Sequence, residues 1–135
     1  MQEYEFYIEL LNSISKKGTC LRKQVGAIIV KDGKIISNGF NTSPIGFGTC
    51  KELGCMVIDN HCIRTVHAEI NALLKAGKEA ERGIMFCSTL PCIHCIKTII
   101  QSGIQKIIYL EDYNKESVDY WLNITNIEVL KWKKN

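Results

Sequence analysis

Thr65-Val66-His67-Ala68-Glu69-Ile70-Asn71-Ala72-Leu73-Leu74 and, further along, Pro91-Cys92-Ile93-His94-Cys95 are the stretches whose joint reading decides this chain. In the first, Val66, Ile70, Leu73 and Leu74 recur at helical spacing behind Thr65, a candidate N-cap, and Gly77 ends the run. In the second, Pro91 suits the first turn of a helix, and Cys92 and Cys95 share one face of it. His67 and Glu69 stand two apart, so they cannot both bind one ion from the side of a helix. Both can reach a site just beyond its N-terminal tip. The two tips are therefore expected to meet, offering one imidazole, two thiols and one carboxylate.

That donor set points to a particular metal chemistry. Three protein ligands, here His67, Cys92 and Cys95, with a fourth position left for water, are the pattern of catalytic rather than structural zinc. Two thiolates weaken zinc as a Lewis acid, and two helix N-termini restore part of the positive field. Glu69, adjacent but not a ligand, fits a proton carrier between the water, the substrate and the leaving group. A lone C-x-x-C can also be half of a structural zinc site or a redox pair, and a lone His-x-Glu is close to chance. Together, each opening a helix, they favour the catalytic reading over a structural zinc knuckle.

With 135 residues, 46% of them apolar, and a net charge of +3, the chain reads as one compact domain, residues 1–135. Its apolar runs, such as Val25 to Val30, are too short to span a membrane, and Met1-Gln2-Glu3-Tyr4 does not open a secretory signal, so the cytoplasm is expected. Seven cysteines would leave one unpaired in a disulfide framework, and metal binding accounts for them better. The basic tail Lys131-Trp132-Lys133-Lys134 is too short to demand a nucleic-acid partner.

In chain order, Tyr4, Tyr7, Ile8, Leu11 and Ile14 predict an opening amphipathic helix over 3–15. Val25 to Val30 and Ile35 to Phe40 predict two strands joined at Asp32-Gly33. Residues 41–64 show no sustained period and read as a long functional or tethered loop. After the His67 helix come a strand at Ile84 to Ser88, the Cys92 helix to Gly103, a strand at Lys106 to Leu110, a weak helix over 115–123 and a last strand at Ile127 to Leu130. Strand, helix, strand implies a right-handed parallel crossover with Cys92 at the C-terminal edge of the sheet. The expected product is a single-domain α/β fold with a five-stranded mixed sheet flanked by helices.

Beyond H-x-E and P-C-x-x-C, which form the zinc deaminase signature, the chain carries Gln24-Val25-Gly26-Ala27, Gly39-Phe40-Asn41-Thr42-Ser43-Pro44, Gly54-Cys55, the block His61 to Ala72, and Gln101-Ser102-Gly103-Ile104. On these residues it resembles the cytidine and deoxycytidylate deaminase superfamily, and within it the bacterial and phage deoxycytidylate (dCMP) deaminases. The likeness runs from Cys20 to Val129. It is not to the tRNA adenosine deaminase branch, whose Met-Cys-Ala-Gly-Ala is replaced here by Ile93-His94-Cys95-Ile96-Lys97.

The resemblance implies a three-layer α-β-α cytidine-deaminase-like fold and zinc-dependent hydrolytic deamination of dCMP at C4, giving dUMP and ammonia and feeding dTMP synthesis. It implies that Asn41 contacts the sugar, the Ala68 N–H fixes the pyrimidine carbonyl, and Glu69 protonates the ring nitrogen. Arg22, Lys23 and Arg64 are candidate phosphate contacts, with a solvated charge as the plain alternative for each. Ser88 stands where the family commonly has threonine. The family's allosteric Gly-Tyr-Asn-Gly reads Gly39-Phe40-Asn41-Thr42 here, which alters the element that implies regulation by dCTP and dTTP. A homo-oligomer, often a hexamer, is implied as well.

By the same resemblance Cys20, Cys50, Cys55 and His61 are expected to close around a second, structural zinc, with Cys62 able to replace His61 or Cys55. Two other readings stand beside dCMP deamination. One is a deaminase of another small base or nucleoside, such as cytidine, cytosine or a heterocyclic antibiotic. The other is a non-enzymatic zinc module, against which Glu69 speaks, since a structural site has no use for an unliganded carboxylate.

Overall fold

The computed structural model describes residues 2–113, 115–123 and 125–133; the side chains of residues 2, 3, 61, 115 and 117 lie outside the description. The elements are α1 (Gln2–Ser15), β1 (Gly26–Lys31), β2 (Lys34–Phe40), α2 (Cys50–Leu53), β3 (Val57–Ile58), β4 (His61–Cys62), α3 (Ala68–Ala76), β5 (Ile84–Thr89), α4 (Ile93–Gln101), β6 (Lys106–Glu111), α5 (Lys115–Asn123) and β7 (Glu128–Lys131). Five strands form one sheet in the order β2-β1-β5-β6-β7. β1 is antiparallel to both β2 and β5, while β5, β6 and β7 run parallel. The sheet is mixed, as expected, and among the described residues no helix is long and apolar enough to cross a membrane.

Side-chain alternation builds the layers. Ala27 and Ile29 of β1, Met85 and Cys87 of β5, and Ile107 and Tyr109 of β6 enter one core with α3, α4 and Val118 of α5. Their neighbours Ile28, Val30, Phe86 and Ile108 enter a second core with Tyr7, Leu11 and Ile14 of α1. Successive strand residues point to opposite faces, so near-continuous apolar strands need cover on both sides. Helices supply it, giving the α-β-α sandwich. At the β1–β2 turn Asp32 and Gly33 have φ of 52° and 75°, the left-handed pair that a two-residue hairpin requires.

Both site helices begin later than their sequence suggests. The helix expected from Thr65 starts at Ala68, because Val66 is held extended by Thr42: the Thr42 N–H donates to the Val66 carbonyl at 3.2 Å, and the Val66 N–H to the Thr42 carbonyl at 2.8 Å. Pro91 likewise precedes α4 instead of lying in its first turn, and Cys92 becomes the N-cap. Residues 41–64 are also more ordered than their lack of period implied. They contain α2 and the β3–β4 ribbon, turned at Asp59 and Asn60 with φ of 50° and 65°. Asp and Asn enter that left-handed region more readily than other side chains.

One close approach positions α3. Ser37 Oγ donates to the Ala72 carbonyl at 2.8 Å, and a Cβ on Gly39 would collide with the Ala68 carbonyl and stand 2.6 Å from the Ala72 nitrogen. Only glycine lets β2 lie this near the helix backbone. Gly39→Ala should therefore destabilise the fold by about 1–3 kcal/mol through a forced backbone shift. Urea denaturation measures it, and an unchanged midpoint would show that α3 can retreat freely.

Candidate active site and metal centres

His67 and Cys92 occupy equivalent places: each is the N-cap of its helix, extended in backbone, and neither side chain caps its own helix. Their side chains are thereby free to project past the helix ends. The β5–α4–β6 crossover sets the α4 tip at the C-terminal edge of the sheet, and the Gly39 contact sets α3 beside it. His67 Nδ1 lies 3.2 Å from Cys95 Sγ and 3.5 Å from Cys92 Sγ. The ligand atoms of all three residues fall within 4.8 Å of one another. A tetrahedron with Zn–S near 2.3 Å and Zn–N near 2.0 Å has edges of about 3.5–3.8 Å, so the set fits one zinc without rearrangement.

The charges suit that use. A hydrogen bond from Cys95 pulls Cys92 down to about 3 against its burial, and His67 adds to the pull. Cys95 is pushed well up, first by that same bond to Cys92 and then by burial. His67 is raised by its bond to Cys92, against its burial. Metal binding exchanges such protons for the cation. Glu69, 4% exposed, is not in the ligand cluster. Burial raises its carboxyl to about 7, opposed by its own backbone N–H and by His67. An acid of that strength can both take and give a proton near neutrality.

A second cluster forms under the long loop. Cys20, Cys50, Cys55 and Cys62 offer four sulfurs within 4.8 Å of one another. The Cys50–Cys62 sulfur separation of 3.7 Å matches the edge of a Zn-thiolate tetrahedron, about 3.8 Å. Burial and the neighbouring sulfurs push Cys50 up to about 12. Against its own burial, the backbone N–H groups of Arg64 and Met56 help bring Cys62 down to about 7. Two of the four, Cys20 and Cys50, are buried. Cys62 thus stands where the sequence left a choice. The side chain of His61 lies outside the described residues. In the β3–β4 ribbon Val57 pairs with Cys62 and Ile58 with His61.

The expected substrate contacts are placed at the same edge but are engaged by the protein. Asn41, buried, accepts from the Val25 N–H at 2.8 Å and donates to the Lys23 carbonyl at 2.7 Å, which ties β2 to residues 23–25. Lys23 pairs with Glu111 at 3.3 Å, Arg22 reaches Asn60 at 3.4 Å, and Arg64 Nε donates to the Gly54 carbonyl at 2.9 Å. Ala68 is fully buried at the start of α3. Two supporting residues had no role in the sequence reading. Asn71 donates to the Phe40 carbonyl at 2.9 Å and fixes the entry into α3, and Ser88 Oγ accepts from the Gly26 N–H at 3.0 Å. Both belong to motifs visible in the sequence, but their partners come from distant elements.

Residues 1–111 match the family described as the cytidine and deoxycytidylate deaminase zinc-binding region, and the chain belongs to that family. It is 40% identical over 112 residues to ComE operon protein 2 of Bacillus subtilis, covering 81% of this chain and 59% of that protein. It is 32% identical over 123 residues to a deoxycytidylate deaminase of Schizosaccharomyces pombe, covering 83% of this chain and 38% of that enzyme. The chain therefore spans less than two thirds of the length of these two relatives. The crystal structure of dCMP deaminase from the cyanophage S-TIM5 in complex with dCMP and dUMP superposes with a TM-score of 0.84 at 33% identity, covering 97% of each chain.

Elemental analysis should find about two zinc ions per chain, falling to about one in Cys50→Ser and in Cys62→Ser and staying at about two in His61→Ala. Cys50→Ser should also lower the melting temperature, since zinc binding adds to folding free energy. A wild-type ratio near one would remove the second site, and zinc loss in His61→Ala alone would restore the imidazole as its fourth ligand.

Proposed function

We propose that this chain is a zinc-dependent hydrolase that converts dCMP and water to dUMP, the precursor of dTMP, and ammonia. The observation that carries the reading is the closed His67, Cys92 and Cys95 cluster with the buried Glu69 carboxyl beside it. Zinc held by those three side chains supplies the Lewis acidity that readies a water for attack at ring carbon C4. Glu69 would take the first proton of that water and place it on ring nitrogen N3, then take the second from the hydroxyl now on C4 and pass it to the amino group as the C4–N bond breaks and ammonia leaves. Its burial keeps the carboxyl from being locked as an anion, so each transfer is nearly balanced. The Ala68 N–H, in the first turn of α3, holds the pyrimidine carbonyl, and Asn41 holds the sugar. The phosphate lies toward Arg22, Lys23 and Arg64.

A second reading is favoured by one observation: Lys23 pairs with Glu111, and Arg64 gives its Nε–H to a loop carbonyl. If those bonds persist with substrate, a nucleoside or free base would serve as well as a nucleotide. Regulation by dCTP and dTTP and assembly as a hexamer belong to the proposal through the family likeness. All seven cysteines are free, which fits a reducing cytoplasm.

Glu69→Gln should retain its catalytic zinc and lose turnover by at least on the order of 10²–10⁴-fold. Metal content and rate are measured on the same sample, and either zinc loss or near-normal rate would remove Glu69 from the chemistry. On a panel of cytosine, cytidine, deoxycytidine, CMP, dCMP and dCTP, the kcat/KM for dCMP should exceed that for deoxycytidine by about 10- to 150-fold, the worth of one charge-assisted contact. Equal values would favour the second reading.

A further inference from the structure

An ion pair with no part in the chemistry spans the C-terminal edge of the sheet. Lys23 Nζ stands 3.3 Å from a Glu111 carboxylate oxygen. Lys23 lies just before β1, and its carbonyl accepts from Asn41, the residue placed against the sugar. Glu111 ends β6, and its carbonyl accepts at 2.8 Å from the N–H of Leu90, which stands two residues before Cys92. In the sheet β5 lies between β1 and β6, antiparallel to the first and parallel to the second. The pair therefore crosses over the C-terminal end of β5, where the chain turns toward Cys92.

Lys23 differs from the other two cations placed toward the phosphate. Arg22 bonds to the Asn60 side-chain oxygen and Arg64 to the Gly54 carbonyl, both neutral groups. Lys23 is held by a carboxylate. The hold is weak, because the two side chains are 48% and 70% exposed, and an exposed pair is screened by water and salt. A phosphate monoester brings a charge of about −1.5 to −2 at pH 7 and three acceptor oxygens, against the single charge of Glu111. It can draw the ammonium away from the carboxylate, and an uncharged nucleoside cannot. The Lys23 backbone is tied to Asn41, so the exchange needs only rotation of a flexible side-chain stem.

We propose, on the footing of the dCMP reading of this site, that Glu111 is a specificity-determining residue: its carboxylate occupies Lys23 until a substrate phosphate replaces it. In the free protein one of the three cations is thereby masked, and singly charged anions gain little by entering. When a nucleotide binds, Glu111 is left unpaired beside the incoming charge. The net gain from the phosphate is then smaller than an unpaired lysine would give, and removing the carboxylate should enlarge it.

Calorimetric titration of the zinc-loaded protein with dUMP and with deoxyuridine tests this without turnover. Glu111→Gln should raise the ratio of dUMP to deoxyuridine affinity roughly 2- to 5-fold, the range for one exposed ion pair, and the gain should shrink as salt rises. Lys23→Gln should lower the ratio, and in that background Glu111→Gln should raise it less. Glu79→Gln removes a similarly exposed carboxylate, paired with Lys31 at the opposite edge of the sheet, and should keep the wild-type ratio. An unchanged or lowered ratio in Glu111→Gln would overturn the proposal, and so would an equal rise in Glu79→Gln, the mark of a net-charge effect. A wild type that binds dUMP no more tightly than deoxyuridine would overturn it as well. Failure to turn over dCMP in the same preparation, with the affinity ratios as expected, would instead overturn the deaminase reading and leave the exchange standing.

Discussion

Two helix N-termini brought within a metal's reach of each other are the constraint on which the rest of this structure depends. α3 and α4 come from different parts of the chain, and each ends its approach in an N-cap whose side chain is a metal ligand, not a cap. An uncapped N-terminus leaves backbone N–H groups unsatisfied and a partial positive charge exposed. Two such ends facing one point favour thiolates there, and a cation with them. The usual stabilisation of helix ends by Ser, Thr or Asp is given up at both tips, and a metal ion held there would offset the loss.

Holding the tips in place falls to contacts that are not chemical participants. The parallel crossover fixes α4, and the Gly39 approach with the Ser37 hydrogen bond fixes α3. The Thr42–Val66 bridge stops α3 from extending backward, which would swing His67 onto the helix side and away from Cys92 and Cys95. Asn41 and Asn71 bind the surrounding carbonyls and amides, so the entry loops are pinned by side chains of the same edge.

The long segment between β2 and α3 follows a different physics. Its secondary structure is short, its apolar residues face outward, and its inward face is sulfur. Such a segment cannot be held by hydrophobic burial in one chain. Four cysteines converge on one point there, Cys50 raised by burial and Cys62 lowered against it, and a metal ion held by them would tie the segment down instead.

How much of this was legible in the sequence can be seen residue by residue. The order of elements, the hairpin at Asp32-Gly33, the parallel crossover and the grouping of His67, Glu69, Cys92 and Cys95 followed from local periodicity, turn chemistry and ligand types, because those depend on neighbours along the chain. The start of α3 did not, because Val66 is captured by Thr42 from another strand, and propensity at Thr65 carries no record of that. The β3–β4 ribbon was not legible either, since residues 41–64 show no period and its turn at Asp59-Asn60 lacks the glycine of the strong hairpin pairs. That Cys62 turns toward Cys20, Cys50 and Cys55 depends on the ribbon's register, and a one-residue shift would turn it away. The sequence by itself determined the chemistry available: the ligand types, the proton carrier and the two helix tips. Only the tertiary structure decided which groups share a point in space and how deeply Glu69 is buried, because distance and desolvation are set by packing between elements far apart in the chain.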